Sequence, residues 1–220
     1  DSGTPTLYTG SFTLLNVTDV NDCIPRILTD SIIYEVNENN PIGLIIDTFH
    51  VYDCDIGVNG DFEYRLLNHT DLLHLNSQTG QLSLKKSIDF EKLNQNKSHT
   101  MIDIEFSIEV QDHGRPSLSS QKKIFLRIHD LNDHAPVFDD NHSYNWTFSK
   151  SDLYRNVVLG RIVAHDPDSG LQGVIHYSIH SLHSCFPLNM TSLGYIYIPS
   201  LPSCSTASYM FEIIASDYGT

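Results

Sequence analysis

Apolar and polar residues alternate at period two along long stretches of this chain. Ile102, Ile104, Phe106, Ile108 and Val110 fall on one side of such a stretch, and Asp103, Glu105, Ser107, Glu109 and Gln111 on the other. Successive side chains of a strand point to opposite faces, so this is the pattern of a half-buried β-strand. Ile124, Leu126 and Ile128 repeat it, as do Tyr209, Phe211, Ile213 and Ala215. No segment sustains a helical apolar period bounded by caps. The alternation predicts an all-β chain of sandwich architecture.

The strands belong to a larger repeat. Asp19-Val20-Asn21-Asp22-Cys23-Ile24-Pro25 returns 111 residues later as Asp130-Leu131-Asn132-Asp133-His134-Ala135-Pro136. Asp53-Cys54-Asp55-Ile56-Gly57 returns 113 residues later as Asp166-Pro167-Asp168-Ser169-Gly170, and in both copies a tyrosine, Tyr64 or Tyr177, follows the first Asp by eleven residues. Asp1-Ser2-Gly3-Thr4-Pro5 returns as Asp112-His113-Gly114-Arg115-Pro116 and, more faintly, as Asp217-Tyr218-Gly219. A period of about 110 residues is too long for a solenoid and suits a domain of about seven strands. Proline cannot join a central ladder, so the proline words mark strand entrances or linkers. Three segments are expected: residues 1–24, the tail of one repeat with its linker; 25–133, a complete repeat; and 134–220, a partial, degenerate repeat. On this division the chain opens and closes within a repeat.

Composition narrows the partners. The 220 residues carry 27 acidic and 13 basic side chains, a formal net charge of -14, with an ordinary hydrophobic content of 40%. Such a balance argues against nucleic acid and anionic membrane surfaces, whose phosphates repel it, and leaves cations or basic partners, with calcium a natural candidate. Asn16, Asn68, Asn96, Asn141, Asn145 and Asn189 each open a glycosylation sequon, which together favour a surface or secreted protein. No apolar run approaches the roughly 18–20 residues of a membrane span, and the first residues lack signal-peptide character. A membrane tether is expected outside this chain. Cys23, Cys54, Cys185 and Cys204 contain no CxxC pair.

The repeated words are clusters of hard oxygen donors in Gly/Pro-rich loops, and Ca2+ takes six to eight such oxygens. Two carboxylates about 5 Å apart repel by roughly 3 kcal/mol at an effective dielectric near 20, so the clusters call for a cation or shifted pKa values. An EF-hand loop fails, because its required Gly and Glu positions hold Val58 and Tyr64 in one copy and Leu171 and Tyr177 in the other. The remaining ligands must come from elsewhere in the chain.

Asp19-Val20-Asn21-Asp22 and Asp130-Leu131-Asn132-Asp133 resemble the DxNDxxP linker of the cadherin superfamily. Glu38-Asn39-Asn40-Pro41-Ile42-Gly43 resembles its ENxPxG word, Ile88-Asp89-Phe90-Glu91 its LDxE word, and Asp53 to Asn59 its DxDxGxN word. The resemblance, of the protocadherin or Fat-like kind, covers nearly the whole chain and weakens after about residue 180. It implies tandem Greek-key β-sandwich, immunoglobulin-like repeats with Ca2+ between consecutive ones. At the complete junction it implies ligands from Glu38, Asp89 and Glu91, from the linker residues Asp130, Asn132 and Asp133, and from Asp166, Asp168 and Asp217. The first junction, seen from one side, would draw on Asp19, Asn21, Asp22, Asp53, Asp55, Asn59 and Asp112. The implied protein is a glycoprotein at the extracellular side of the plasma membrane. Its calcium-stiffened repeats would serve homophilic or heterophilic cell–cell adhesion through cadherin repeats of the same or another surface protein. A non-adhesive receptor or matrix module using the same repeats is the alternative.

Departures from the pattern matter too. Ser151 stands where the earlier repeat has Glu38, and Leu201-Pro202-Ser203-Cys204 stands where it has the LDxE word, so weak or absent calcium binding is expected at the following junction. Gln172 replaces the Asn of DxDxGxN. His176 and His180 share a strand face and His183 faces away, which reads as surface histidines. Cys23 with Cys54, and Cys185 with Cys204, are possible pairs that spacing leaves open. No HExxH, GxSxG or P-loop word is present, and the acids recur once per repeat where a catalytic pair is needed once, so no enzyme is expected.

Overall fold

In the computed structural model of the chain the described residues are 4–5, 7–95, 99–139, 144, 146–181, 185–203 and 209–218. The sequons at Asn96, Asn141 and Asn145, together with Asp1, His183, Cys204 and Gly219, lie outside them. The strands are β1 (Arg26–Leu28), β2 (Ile33–Asn37), β3 (Ile45–Thr48), β4 (His50–Tyr52), β5 (Phe62–Leu66), β6 (Leu73–Leu75), β7 (Gln81–Leu84), β8 (Met101–Asp112) and β9 (Ser119–His129). They continue with β10 (Val137–Phe138), β11 (Val158–Arg161), β12 (Ala164–His165), β13 (His176–Ser181), β14 (Asn189–Met190), β15 (Tyr195–Tyr197) and β16 (Phe211–Ser216). Helix is confined, among the described residues, to single turns: 3-10 turns at Gly57–Asn59 and Lys150–Asp152 and α1 at Phe90–Leu93.

The chain packs as two compact units that cut across the sequence repeats: residues 1–32, 45–83 and 106–124 form one, and 33–44, 84–105 and 125–220 the other. In the first unit β1 pairs with β4, β3 with β7, and β5 with the end of β8, all antiparallel. Phe49, Leu73, Leu82, Phe106, Ile108, Val110 and Ile124 are its fully buried apolar side chains. Tyr64 is buried among them and its hydroxyl donates to the Phe49 carbonyl at 2.7 Å. Residues 7–24 join no strand and expose Leu7, Tyr8, Phe12, Leu14 and Val17.

In the second unit β2 runs parallel to the end of β9, β10 pairs with β12, β15 lies between β11 and β14, and β13 pairs with β16 over six residue pairs. Leu84, Phe90, Leu126, Ile128, Ile196 and Ile198 are buried there. The alternation read from the sequence maps onto β8, β9 and β16: Phe106, Ile108 and Val110 are buried while Ser107, Glu109 and Gln111 are only partly covered. No helix among the described residues is long and apolar enough to cross a membrane.

Candidate metal centre

Four of the candidate ligands, Glu38, Asp112, Asp130 and Asp217, are placed by strand alternation carried one step past a strand's core-facing residues. Val36 faces the core of β2, and two residues on, Glu38 keeps that inward direction with 1% of its surface exposed. Val110 leads to Asp112 in the same way, also at 1%. Asp130 is in phase with Ile128 of β9, and Asp217 with Ile213 and Ala215 of β16. Period two therefore aims a carboxylate inward at the end of each of these strands. The DxDxG loops add Asp53, Asp55, Asn59, Asp166 and Asp168. Gly57 and Gly170 hold φ of +62° and +64°, the left-handed region that a side chain disfavours. A Cβ on Gly60 or Gly173 would strike the backbone oxygen of Asp55 or Asp168.

Around the linker at 130–136, oxygens of Glu38, Glu91 and Asp130 lie within 4.8 Å of one another. A second set, with the same spread, joins Glu91, Asp133, His134 and Asp168. Glu38 braces the linker by accepting the Leu131 N–H at 2.9 Å and the Phe90 N–H at 2.7 Å. Asp130 Oδ2 accepts the Ser169 N–H at 2.7 Å, and Asp166 Oδ1 accepts the Asp168 N–H at 2.9 Å. The Asn132 amide lies against Asp168 Oδ2 at 2.8 Å and Asp217 Oδ2 at 3.1 Å. Asn94 donates to Ser169 Oγ at 3.0 Å beside them. Asp89 is turned elsewhere: it caps α1 through the Lys92 N–H at 2.9 Å and pairs with Lys92 Nζ at 2.6 Å. The nearby ammonium holds its carboxyl below the usual range.

The cluster is electrostatically unsatisfied. Burial, then the charges of Glu38, Asp130 and Asp133, push Glu91 up to about 7. Burial raises Glu38 and Asp168 as well, with Asp133 and Asp166 adding to it. Burial alone pulls His134 down, but Asp133, Asp168 and Glu91 outweigh it and leave the imidazole raised. Glu91 Oε1 and Asp130 Oδ1 are buried with no hydrogen-bond partner. Orphaned, crowded carboxylate oxygens of this kind fit a bound divalent cation, which supplies the missing positive charge.

The first unit holds the equivalent residues of the earlier copy of the repeated words. Asp112 accepts the Gly114 N–H at 3.0 Å, the Leu118 N–H at 2.9 Å and the Asn21 amide at 3.2 Å. Asp19 accepts from the Ile56 N–H at 3.2 Å and the Asn59 amide at 3.0 Å. Asp53 accepts the Asp55 N–H at 3.0 Å, Asp55 accepts the Cys23 N–H at 3.1 Å, and Asp22 is exposed. Asp53 Oδ2 and Asn21 Oδ1 are again buried without a partner. Cys23 and Cys54 form a disulfide, with Cα atoms 5.8 Å apart, that ties the linker to the acidic loop. Cys185 is disulfide-bonded too.

Three features are carried by the fold and not by the repeated words. His134 follows Asp133 in the linker word, and only the fold brings Asp168 and Glu91 to its imidazole. Gly60 and Gly173 recur at the repeat spacing, where a Cβ would strike the loop backbone. Asn39 donates to Asp133 across the sequence.

Residues 33–129 match the family model of the cadherin domain. The chain is 32% identical over 180 residues to the Fat-like cadherin-related tumor suppressor homolog of Drosophila melanogaster, an alignment covering 81% of the chain and 4% of that protein. Against human Protocadherin-18 it is 28% identical over 234 residues, covering 100% of the chain and 20% of that protein. It thus spans only a small part of these relatives. Among solved structures, mouse Cadherin-23 EC22-24 superposes with a TM-score of 0.75 at 24% identity over 89% of the chain and 61% of that one. Protocadherin gammaB7 EC3-6 gives a TM-score of 0.75 at 20% identity over 99% of the chain and 55% of that one. These likenesses carry the fold: cadherin extracellular repeats, which are β-sandwich domains.

Proposed function

This chain belongs to the cadherin superfamily, a family of non-enzymatic adhesion proteins, and on that premise we propose that it is an extracellular part of a calcium-dependent cell–cell adhesion protein. Its repeats are those at 25–133 and 134–220, preceded by the tail of another at 1–24. Calcium at the linkers restricts their pivoting, so that cadherin repeats of one cell surface meet those of another. The observation that carries this reading is the pair of buried, partnerless oxygens, Glu91 Oε1 and Asp130 Oδ1, inside a cluster of acids.

Glu38, Glu91, Asp130, Asn132, Asp133, Asp166, Asp168 and Asp217 would hold calcium at the complete junction, with Asp89 released from Lys92 to join them. Bound calcium supplies the positive charge that lets these acids sit together ionised. The protein's own part is positional: Glu38 fixes the linker through Leu131, and Asp130 fixes the loop of the next repeat through Ser169. Thermal unfolding during a calcium titration tests the reading, beside a variant carrying Asp130→Asn and Asp133→Asn. A ligand of the folded state alone stabilises by roughly 2.7 kcal/mol at a hundred times its Kd, so the parent's melting temperature rises and the variant's response shrinks. An unchanged melting temperature in millimolar calcium would sink the proposal.

A further inference from the structure

We infer that the Asn94 side chain is a metal-independent pin between the two proposed repeats, fastening the acidic loop of the second to the segment that follows α1 in the first. The Asn94 amide nitrogen donates twice, to the His99 carbonyl at 2.6 Å within its own segment and to Ser169 Oγ at 3.0 Å, 75 residues along the chain. Asn94 and Ser169 are only 5% and 6% exposed, so water competes little for the bond between them. The pin is anchored in the core of its own repeat. Asn94 ends α1, its backbone N–H donates to the Phe90 carbonyl at 2.8 Å, and Phe90 is fully buried. Packing across the same place is tight: a Cβ on Gly170 would stand 2.9 Å from Thr100 Cγ2.

Ser169 is therefore held twice. Its backbone N–H is fixed by Asp130 of the linker at 2.7 Å, and its hydroxyl by Asn94. The first hold uses a candidate calcium ligand, whereas the second joins two uncharged side chains and needs no ion. The earlier copy of the repeated word has no such acceptor. Ile56 occupies the place of Ser169, carries no hydroxyl and is 72% exposed. The pin thus belongs to the junction at 130–136 and not to the repeated words, and it leaves that linker partly held when calcium is withdrawn. This rests on the division into repeats at 25–133 and 134–220, and not on calcium.

Limited proteolysis of the whole chain in chelator tests the inference, with a serine protease that cuts after acidic residues and so reports on the linker at Asp130 and Asp133. Ser169→Ala is the cleaner variant, because it keeps the bond from its N–H to Asp130 and the bond from Asn94 to His99. When opening is fast relative to cleavage the cutting rate follows the open population, so losing one neutral hydrogen bond should speed the linker cut roughly three- to tenfold. Cuts elsewhere in the chain should keep the parent's rate. Asn94→Ala should speed the linker cut as well, and Ser169→Ala added to it should change the rate no further, since the two side chains act through one bond. Equal linker cutting in the parent and Ser169→Ala overturns the inference, as do additive effects of the two substitutions or a general rise in cutting along the chain. If Ser169→Ala speeds the cut in chelator while millimolar calcium slows it in neither protein, the pin stands and the calcium reading falls. Slowing by calcium, with equal rates in chelator, keeps the calcium reading and sinks the pin.

Discussion

At the scale of single residues the junction acids are held in an uncomfortable state, and Glu91 is the clearest case. Its pKa rises from an unfolded value near 4.5 to about 7 because burial and the charges of Glu38, Asp130 and Asp133 oppose ionisation. Between those two values the folded protein binds more protons than the unfolded one, so stability falls as pH rises through the window. His134, raised above its ordinary value, contributes with the same sign, since its proton is lost as pH rises through the folded pKa. In chelator the melting temperature should therefore drop between pH 5 and pH 8. Glu91→Gln should flatten that slope and be the more stable protein at pH 8 without calcium, yet gain less than the parent when calcium is added. A slope unchanged by the substitution would mean that the cluster is not what titrates. Calcium should also release protons near neutral pH, measurable as a dependence of binding heat on buffer ionisation enthalpy.

At the scale of elements, the strand ends carry two duties. Asp112 is both an inward acid and the acceptor for the N–H groups of Gly114 and Leu118. Asp112→Ala leaves those donors unsatisfied, and at about 1–3 kcal/mol for each such group the cost should be on the order of 2–4 kcal/mol by urea denaturation in chelator. Tyr64→Phe removes one buried hydrogen bond to the Phe49 carbonyl and should cost about 1 kcal/mol. A calcium-dependent loss in Tyr64→Phe would contradict this purely structural role. The strands were legible because alternation is a local property: Phe106, Ile108 and Val110 announce their face in the sequence, and Asp112 continues it. The acidic words were legible through their repetition. What the sequence could not announce depends on contacts across long separations. Asp89 satisfies itself on Lys92 and on α1, a one-turn helix too short for any periodicity, and the contacts of the His134 imidazole emerge only when Glu91 and Asp168 converge on it. Pairing of Cys23 with Cys54 needed the loop at 53–57 brought against the linker.

At the scale of the molecule, the two ends of the segment at 134–220, which we propose as a repeat, are chemically unlike. Its beginning presents Asp166 and Asp168, both buried, to the linker at 130–136. At the place equivalent to Glu38 it has Ser151, within a 3-10 turn that satisfies itself: Ser149 and Asp152 form a reciprocal capping box, and Ser151 Oγ lies 2.6 Å from Ser149 Oγ. Those bonds hold the exposed Asp152 carboxyl below the usual range, the opposite of the strain on Glu38. A carboxylate already content with hydroxyl and backbone donors has little to gain from a cation, whereas crowded buried acids have much. In a protein that joins a further cadherin repeat to residue 220, calcium should therefore protect the two linkers unequally. Limited proteolysis in chelator should cut both the linker at 130–136 and the one following this repeat. In millimolar calcium only the later cut should persist, because opening of the first is suppressed by the binding free energy. Equal protection of both would mean that the onward junction finds its ligands in residues other than those at Ser151 and Leu201 to Cys204, and that the asymmetry read from this repeat does not govern its calcium chemistry.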